Sequence, residues 1–334
     1  MLAPISWRTP PRAYGPWEYV TSLLTEGLVR RGLDVTLFAT LDSVTAARLD
    51  GVAPRPYSED AALDPKVYEL LHIAHCFERA RDFDLIHSHV DFPALAFSRL
   101  IETPVVATIH GFSSPRIHPA FEAYDGRAQY VAISNADRLP ALYYAATIHH
   151  GIPLEDFPFD PRGGDGLLFY GRIHRDKGPV EAIEAAARAR LPLVMAGIVH
   201  DADLFARAVE PRLGAGARFI GPVGGRDRAR TLGRAKALLH LINFEEPFGL
   251  SVVEALACGT PVIAMRRGSM PEIIDDGITG FLVSSVDDAV EAIGRIGEID
   301  RRACRAAAER RFSAERMVDD YVALYARVLA APLA

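Results

Sequence analysis

The sequence predicts two Rossmann-like domains, each built on a parallel α/β sheet, and three observations carry that expectation. Short apolar runs alternate with helical patterns along the chain, which is the signature of parallel strands joined by crossover helices. The 334 residues suit two domains of roughly 100–200 residues each. The breaker cluster Asp160-Pro161-Arg162-Gly163-Gly164-Asp165-Gly166 separates two sets of strands. A linker is placed just before it, near 152–165, so residues 1–155 form the first domain and 156–313 the second.

In the first half, strands are expected at Val35–Ala39, Leu85–His89, Val105–Ile109, Tyr130–Ile133 and Ala146–His149. Trp17 to Leu28 carries apolar residues at 17, 20, 23, 24 and 28, which is one face of a helix. Val67 to Ala80 reads the same way. Met1-Leu2-Ala3-Pro4 leaves room for only the tail of a first strand before the Pro10-Pro11 turn. Either that strand is short or the start of the chain is placed too late. In the second half, strands are expected at Leu167–Tyr170, Leu193–Ala196, Arg218–Ile220, Ala237–Ile242, Pro261–Ala264 and Gly280–Val283, with helices such as Val180–Ala189 and Ser251–Cys258 between them. The last helical stretch, Ala314–Leu329, has apolar or aromatic residues at 317, 318, 321, 322, 324, 325 and 328. It is long enough to return to the first domain, so 314–334 is assigned there. There is no repeat of 20–50 residues and no low-complexity tract.

Composition narrows the function. Hydrophobic residues make up 49% of the chain and the net charge is −6, which supports a sizeable core. With no extended basic stripe, nucleic acid is not an expected partner. An anion would be met by a few placed cations rather than a general positive field. Lysines are only three, Lys66, Lys177 and Lys236, so one in a glycine-flanked loop stands out. Cys76, Cys258 and Cys304 are odd in number and lack metal spacing, which reads as free thiols in a reducing compartment. No run approaches the roughly 18 apolar residues of a spanning helix, and no signal-peptide pattern opens the chain. A cytoplasmic protein is expected, with peripheral contact to a membrane surface through the arginines left open.

Ligands of open α/β sheets bind beyond the carboxyl ends of the strands, and two such sheets are expected to face each other across a cleft. The loops after strands therefore matter most. After the strand ending at Ile242, Asn243–Pro247 forms a loop and a helix begins at Gly249–Ser251. A helix start presents unpaired N–H groups and partial positive charge, which suits phosphate. Glu246 precedes a proline and is not helical, whereas Glu254 lies about one turn into the helix. Carboxylates at these two places suit vicinal hydroxyls. The bland alternative is a surface helix with acidic residues near its positive end. After the strand ending at Tyr170 comes Gly171-Arg172-Ile173-His174-Arg175-Asp176-Lys177-Gly178. Arg172 and Lys177 suit a diphosphate gripped from two sides, against the alternative of a solvated basic turn. His110 closes the strand Val105–Ile109 beside Gly111, where it is either a cleft residue or a satisfied core histidine.

Glu246-Pro247-Phe248-Gly249-Leu250 with Glu254 eight positions after the first glutamate, followed by Ala255-Leu256-Ala257-Cys258-Gly259-Thr260-Pro261-Val262-Ile263-Ala264, resembles the E-x7-E segment of the retaining family 4 glycosyltransferases. That family has the GT-B fold, with two Rossmann-like domains and the nucleotide held mainly by the C-terminal one. The resemblance implies that Glu246 contacts the donor sugar and Glu254 the ribose. It also implies that backbone groups of Phe248, Gly249 and Leu250 touch sugar and diphosphate. The Gly171-Arg172…Lys177-Gly178 segment matches the family's Gly-Arg-x4-Lys-Gly, whose cations bind the diphosphate. His110-Gly111 matches a His-Gly or His-Asp that approaches the sugar ring. By position, Pro222 and Val223 meet the base through their backbone. The family's first loop usually holds two adjacent glycines; here Gly15 is followed by Pro16, which removes a backbone donor, although Gly15 still permits close approach.

The implied reaction moves a sugar from a nucleotide diphosphate, UDP- or GDP-linked, to the hydroxyl of a small-molecule or glycan acceptor. It retains the anomeric configuration, with no cofactor and no essential metal because protein cations neutralise the diphosphate. Bacterial natural-product or cell-envelope biosynthesis is a compatible setting. The rivals are a sugar-nucleotide epimerase of the same two-domain fold and a non-catalytic nucleotide-sugar-binding protein. Acceptor choice is assigned to first-domain loops such as Gly111–Tyr124, with Phe112, Arg116, His118 and Phe121, residues that suit a hydroxylated small molecule and a core equally well. Asp82-Phe83-Asp84 and Asp201-Ala202-Asp203 read as solvated loops or caps. His87-Ser88-His89 and His149-His150 lack a third ligand at fixed spacing.

Overall fold

The computed structural model describes residues 1–112, 114–214 and 216–330. The chain divides into two units, one of Met1–Gly151 with the C-terminal segment from Ala314, the other of Ile152–Ser313. The division falls at Gly151–Ile152, ahead of the Asp160–Gly166 cluster. Arg301 ties that cluster into the second unit, donating from Nε to the Asp160 carbonyl at 2.8 Å and from Nη1 to the Ala235 carbonyl at 3.0 Å. The last helix spans Ala314–Ala330, and residues 331–334 of the expected segment lie outside the described residues.

Unit 1 contains β1 (Thr36–Phe38), β2 (Arg48–Asp50), β3 (Ile86–Ser88), β4 (Val105–Ile109), β5 (Ala128–Ala132) and β6 (Tyr144–Thr147). All pairings are parallel, β1 with β2 and β3 through β6 in order. Leu2 joins the two sets by bridging Phe38 on one side and Ser88 on the other. The short first strand thus shrinks to one bridging residue, because Pro4 has no N–H to extend a ladder. β2 was not among the expected strands. Arg48-Leu49-Asp50 is an edge with no apolar run, so periodicity carries no sign of it. From Leu2 the chain runs to β1 and β2 on one side and then to β3–β6 on the other, so the order reverses between Leu2 and β3.

The first helix, Pro16–Arg30, starts with its proline at N1, where a missing N–H costs nothing. It buries Val20, Leu24 and Leu28. The last helix packs on it, with Arg31 Nε 2.6 Å from Asp319 Oδ1. That helix also buries Tyr321 and Tyr325.

Unit 2 contains β7 (Leu167–Tyr170), β8 (Leu193–Ala196), β9 (Ala217–Phe219), β10 (Ala237–His240), β11 (Val262–Met265) and β12 (Gly280–Val283). Their spatial order is β12-β11-β10-β7-β8-β9, all parallel. β10 and β11 are buried along their whole length, as strands covered on both faces must be. β11 begins at Val262 rather than the expected Pro261, because proline cannot donate to the ladder. β10 ends at His240, two residues before the expected Ile242. From β7 the chain runs to β8 and β9, then to β10–β12 on the other side, so the order reverses between β7 and β10. Among the described residues, no helix is long and apolar enough to cross a membrane.

Candidate functional site

The reversal point of a doubly wound sheet splays the following loops apart and leaves a crevice at the carboxyl ends of its strands. In unit 2 the two loops are Gly171–Gly178 after β7 and Leu241–Gly249 after β10. They touch backbone to backbone: Gly178 sits at φ +66°, and a Cβ there would lie 1.8 Å from the Leu241 carbonyl oxygen. Asn243 pins the pair, its N–H donating to the Asp176 carbonyl at 2.7 Å and its side-chain amide to Glu181 at 2.8 Å.

Lys177 and Glu246 meet in this crevice, 2.5 Å apart between Nζ and Oε2. Their side chains are 17% and 12% exposed, so water screens the pair only partly. The Lys177 ammonium also lies over the Phe244 ring, 4.5 Å from its centroid. His240, the last residue of β10, places Nε2 3.4 Å from the same Glu246 oxygen. Burial opposes ionisation of Glu246, but His240 and Lys177 overcome it and bring the pKa down to about 2. Burial lowers the pKa of His240. Arg172 is half-buried, and no hydrogen bond or ion pair holds its guanidinium among the described residues. A partnerless cation beside a compensated one is an arrangement ready for an anion.

The helix Leu250–Ala257 starts at Gly249, which takes φ +92° as its N-cap. Phe248 buries its ring in the core, 6.1 Å from Phe312, and its carbonyl accepts from Ser269 Oγ at 2.7 Å. Its side chain is therefore structural. Glu254 is buried inside the helix, with Arg228 Nη1 3.3 Å from its Oε1. Burial pushes its pKa up to about 7, while Arg228 pulls the other way. Pro222 is exposed, and the Val223 carbonyl accepts from the Tyr170 hydroxyl at 3.3 Å.

In unit 1 the loops at the reversal point are those after Leu2 and after β3. Between them lies a cavity of about 380 Å³ lined by Ile5, Trp7, Trp17, Glu18, His72 and Asp91 among others. Glu18 is buried and accepts from the Trp7 N–H at 3.0 Å. Burial raises its pKa to about 7, with the backbone hydrogen bonds pulling down. Gly15 stands at φ +146°, and a Cβ on it would meet Glu18, Pro11 and Trp7 at 3.0–3.1 Å. Its crowding comes from its own loop, which gives this glycine a structural reason.

His110 is buried at the end of β4, under Trp17, whose ring stacks on it at 5.3 Å and 20°. It sits mid-row in a line of histidines. His89 Nδ1 lies 2.9 Å from His110 Nε2, and His110 Nδ1 3.3 Å from His150 Nε2. Next to this row, His87 bonds Tyr325 Oη at 2.6 Å and Thr108 Oγ1 at 2.8 Å. Burial alone drives the His110 pKa down to about 3, so the imidazole is neutral. His87, His89 and His150 are likewise neutral, through burial first, and second through the N-terminal ammonium at His87 and the neighbouring histidines at His89 and His150. No group of three or more His, Cys, Asp or Glu is placed to hold a metal ion among the described residues.

The structure thus brings Lys177 and Glu246 together in one crevice and places His110 and Gly15 in the other unit. Sequence reasoning missed His240, Phe244 and Arg228. The rule that singled out His110, a histidine closing a strand, would also have found His240. In the Gly111–Tyr124 loop the two phenylalanines follow the core alternative. Phe121 is buried in the unit 1 core and Phe112 packs against it at 5.1 Å, so these aromatics satisfy the interior. Ser113 of that loop lies outside the described residues. Asp201 caps a helix through the Leu204 N–H at 2.9 Å, and Asp82 pairs with Arg79 at 3.1 Å.

The family model described as glycosyl transferases group 1 matches residues 160–311, and the model for glycosyltransferase family 4 matches residues 18–142. The D-inositol 3-phosphate glycosyltransferase of Saccharomonospora viridis is 30% identical over 315 residues, covering 76% of this chain and 72% of that protein. Among solved structures, AviGT4, a glycosyltransferase involved in avilamycin A biosynthesis, superposes with a TM-score of 0.72 at 24% identity, over 98% of this chain and 97% of its own. Anabaena HepE in complex with UDP superposes with a TM-score of 0.75 at 18% identity, over 94% and 96%.

Proposed function

The chain belongs to the family 4 glycosyltransferases and has the GT-B fold, and on that premise we propose that it moves a sugar from a nucleotide diphosphate to an acceptor hydroxyl with retention of configuration. The observation that carries this reading is the unit 2 crevice. There Lys177 and Glu246 pair at 2.5 Å, in the loops that also carry Arg172 and the start of the helix Leu250–Ala257.

Glu246 is ionised at neutral pH and accepts hydrogen bonds from the donor sugar's hydroxyls. Glu254 serves the ribose, exchanging Arg228 for hydroxyl donors. Arg172, Lys177 and the N–H groups at the helix start face the charge that grows on the leaving diphosphate. The bond from the anomeric carbon to the phosphate oxygen breaks as the bond to the acceptor oxygen forms on the same face. The acceptor proton passes to the departing phosphate. Protein cations carry the neutralisation, so a divalent metal is not required. A neutral His110 adds no charge beside the sugar, and it hydrogen-bonds the sugar by exchanging its contact with His89 or His150. UDP is the first nucleotide to test, because the Anabaena HepE neighbour binds it. A bacterial natural-product or cell-envelope glycoside is the proposed class of product.

The test is incubation with UDP-, GDP-, ADP- and dTDP-linked sugars, with and without EDTA. Expected are free nucleoside diphosphate and a glycoside of the donor's own anomeric configuration, at equal rates in both. A free epimerised sugar would point to the epimerase instead, and ligand binding without turnover to a non-catalytic role. A rate abolished by EDTA and restored by magnesium would overturn the metal-free mechanism.

A further inference from the structure

The cavity at the unit 1 reversal point has a chemistry of its own. Its volume of about 380 Å³ falls within the roughly 300–1,000 Å³ of small-molecule sites. Trp7, Tyr14 and Trp17 supply aromatic walls, the surfaces on which the apolar faces of a ring pack. The hydroxyls of Ser6, Tyr14 and Tyr57 and the two indole N–H groups can donate, whereas the ionisable side chains around it are carboxyl groups and one imidazole. Glu18, Glu69 and Asp91 are carboxylic side chains. His72 is fully buried and neutral, with burial bringing its pKa down to about 4. Its Nε2 lies 3.0 Å from the Ala3 carbonyl, which obliges that nitrogen to carry the proton. Nδ1 is then a lone-pair acceptor, buried and without a partner among the described residues.

Among the described residues, no arginine or lysine lines the cavity. The two arginines of the adjoining loop are turned elsewhere, Arg8 to the Pro10 carbonyl at 3.0 Å and Arg12 to Glu59 and Asp42 at 2.5 and 3.0 Å. Carboxyl groups and a bare imidazole nitrogen beside hydroxyl donors suit a ligand whose O–H groups both donate and accept. A phosphate dianion donates nothing and would be repelled by the carboxylates.

We propose that this cavity selects an acceptor that is a polyhydroxylated ring bearing no phosphate or carboxylate. The assignment rests on the glycosyltransferase reading and deepens it by naming the acceptor class. It also separates this chain from its Saccharomonospora viridis relative, whose name specifies a phosphorylated acceptor.

The chain has two tryptophans, and both line the cavity, so intrinsic emission reports on occupancy independently of turnover. The full-length protein is titrated, with and without UDP, against three matched pairs: myo-inositol and inositol 3-phosphate, glucose and glucose 6-phosphate, mannose and mannose 6-phosphate. At least one uncharged member is expected to change the emission saturably, with its phosphate bound at least about tenfold more weakly, as a like charge within a few ångströms of partly buried carboxylates implies. Trp7→Phe should reduce the amplitude, and Glu69→Gln should narrow the gap within the pair. A phosphate that binds as tightly as its uncharged partner, or silence from all six compounds, would overturn the assignment. The shifts in melting temperature with UDP, GDP, ADP and dTDP are measured in parallel. A UDP shift with six silent compounds sinks the acceptor class and leaves the glycosyltransferase reading standing. Uncharged binding with no shift from any nucleotide does the reverse.

Discussion

The cavity between Leu2 and β3 in unit 1 and the loop pair after β7 and β10 in unit 2 occupy the same place in the same doubly wound topology. Their chemistry is opposite. Unit 2 presents Lys177, Arg172 and a helix start, with one carboxylate held at a pKa of about 2. Unit 1 presents indoles, neutral imidazoles and a carboxyl group whose pKa has risen to about 7. The topology supplies a position at the carboxyl ends of the strands, and the loop side chains decide what is bound there. Burial acts in both units, yet its outcome differs because unit 2 places a cation and a histidine against Glu246, whereas among the described residues Glu18 is met by backbone N–H groups.

The largest effects should come from breaking the charged side of this contrast. Glu246→Ala and Lys177→Ala should each slow transfer by about 10²–10³-fold, the usual loss when one preorganised group is removed. Circular dichroism should show both variants folded, and turnover close to wild type in either would break the assignment.

Arg172→Ala should act more selectively. Its guanidinium has no partner among the described residues, so stability should change by less than about 0.5 kcal/mol. Affinity for UDP should drop by about 10- to 100-fold, which corresponds to the roughly 1.5–3 kcal/mol of a charged hydrogen bond. Calorimetry would expose the opposite pattern, an unchanged affinity with a lowered melting temperature.

The smallest effects concern pH. The depressed pKa of Glu246, about 2 against an ordinary 4.5, means that its pairing stabilises the fold above pH 4.5 and that this is lost as pH falls toward 2. Glu18 and Glu254, both raised to about 7, work in the other direction. Their folded forms hold the proton more tightly, so the stability linked to them is greatest below pH 4.5 and declines until about pH 7. Glu18→Gln and Glu254→Gln should each flatten that decline in melting temperature between pH 4.5 and 7.5, one for each unit. Curves parallel to wild type would show that these carboxyl groups ionise normally.

Two strings of residues made much of the proposed donor site legible: Gly171–Gly178 and Glu246–Glu254 are contiguous, so spacing alone brings their members near one another. Strand positions were legible for a similar reason, since apolar runs are local, and β4, β7, β8 and β12 fall where expected. β2 was not, because an edge strand needs no apolar run. Neither was the partner of Glu246, although His240 lies only six residues away, because its role depends on where β10 stops. Lys177 and Glu246 are 69 residues apart, and local pattern says nothing about β7 lying beside β10.

By itself, the sequence determined the parallel strands, the glycines that admit tight loops and the acidic and basic residues available to a site, since these follow from neighbours along the chain. Only the tertiary structure decided which of them meet. It took Gly15 into its own loop and Phe121 into the core, lined up His89, His110 and His150, and left a cavity walled by both tryptophans. Those outcomes depend on which strands lie side by side, and that is settled by packing over distances that no local periodicity records.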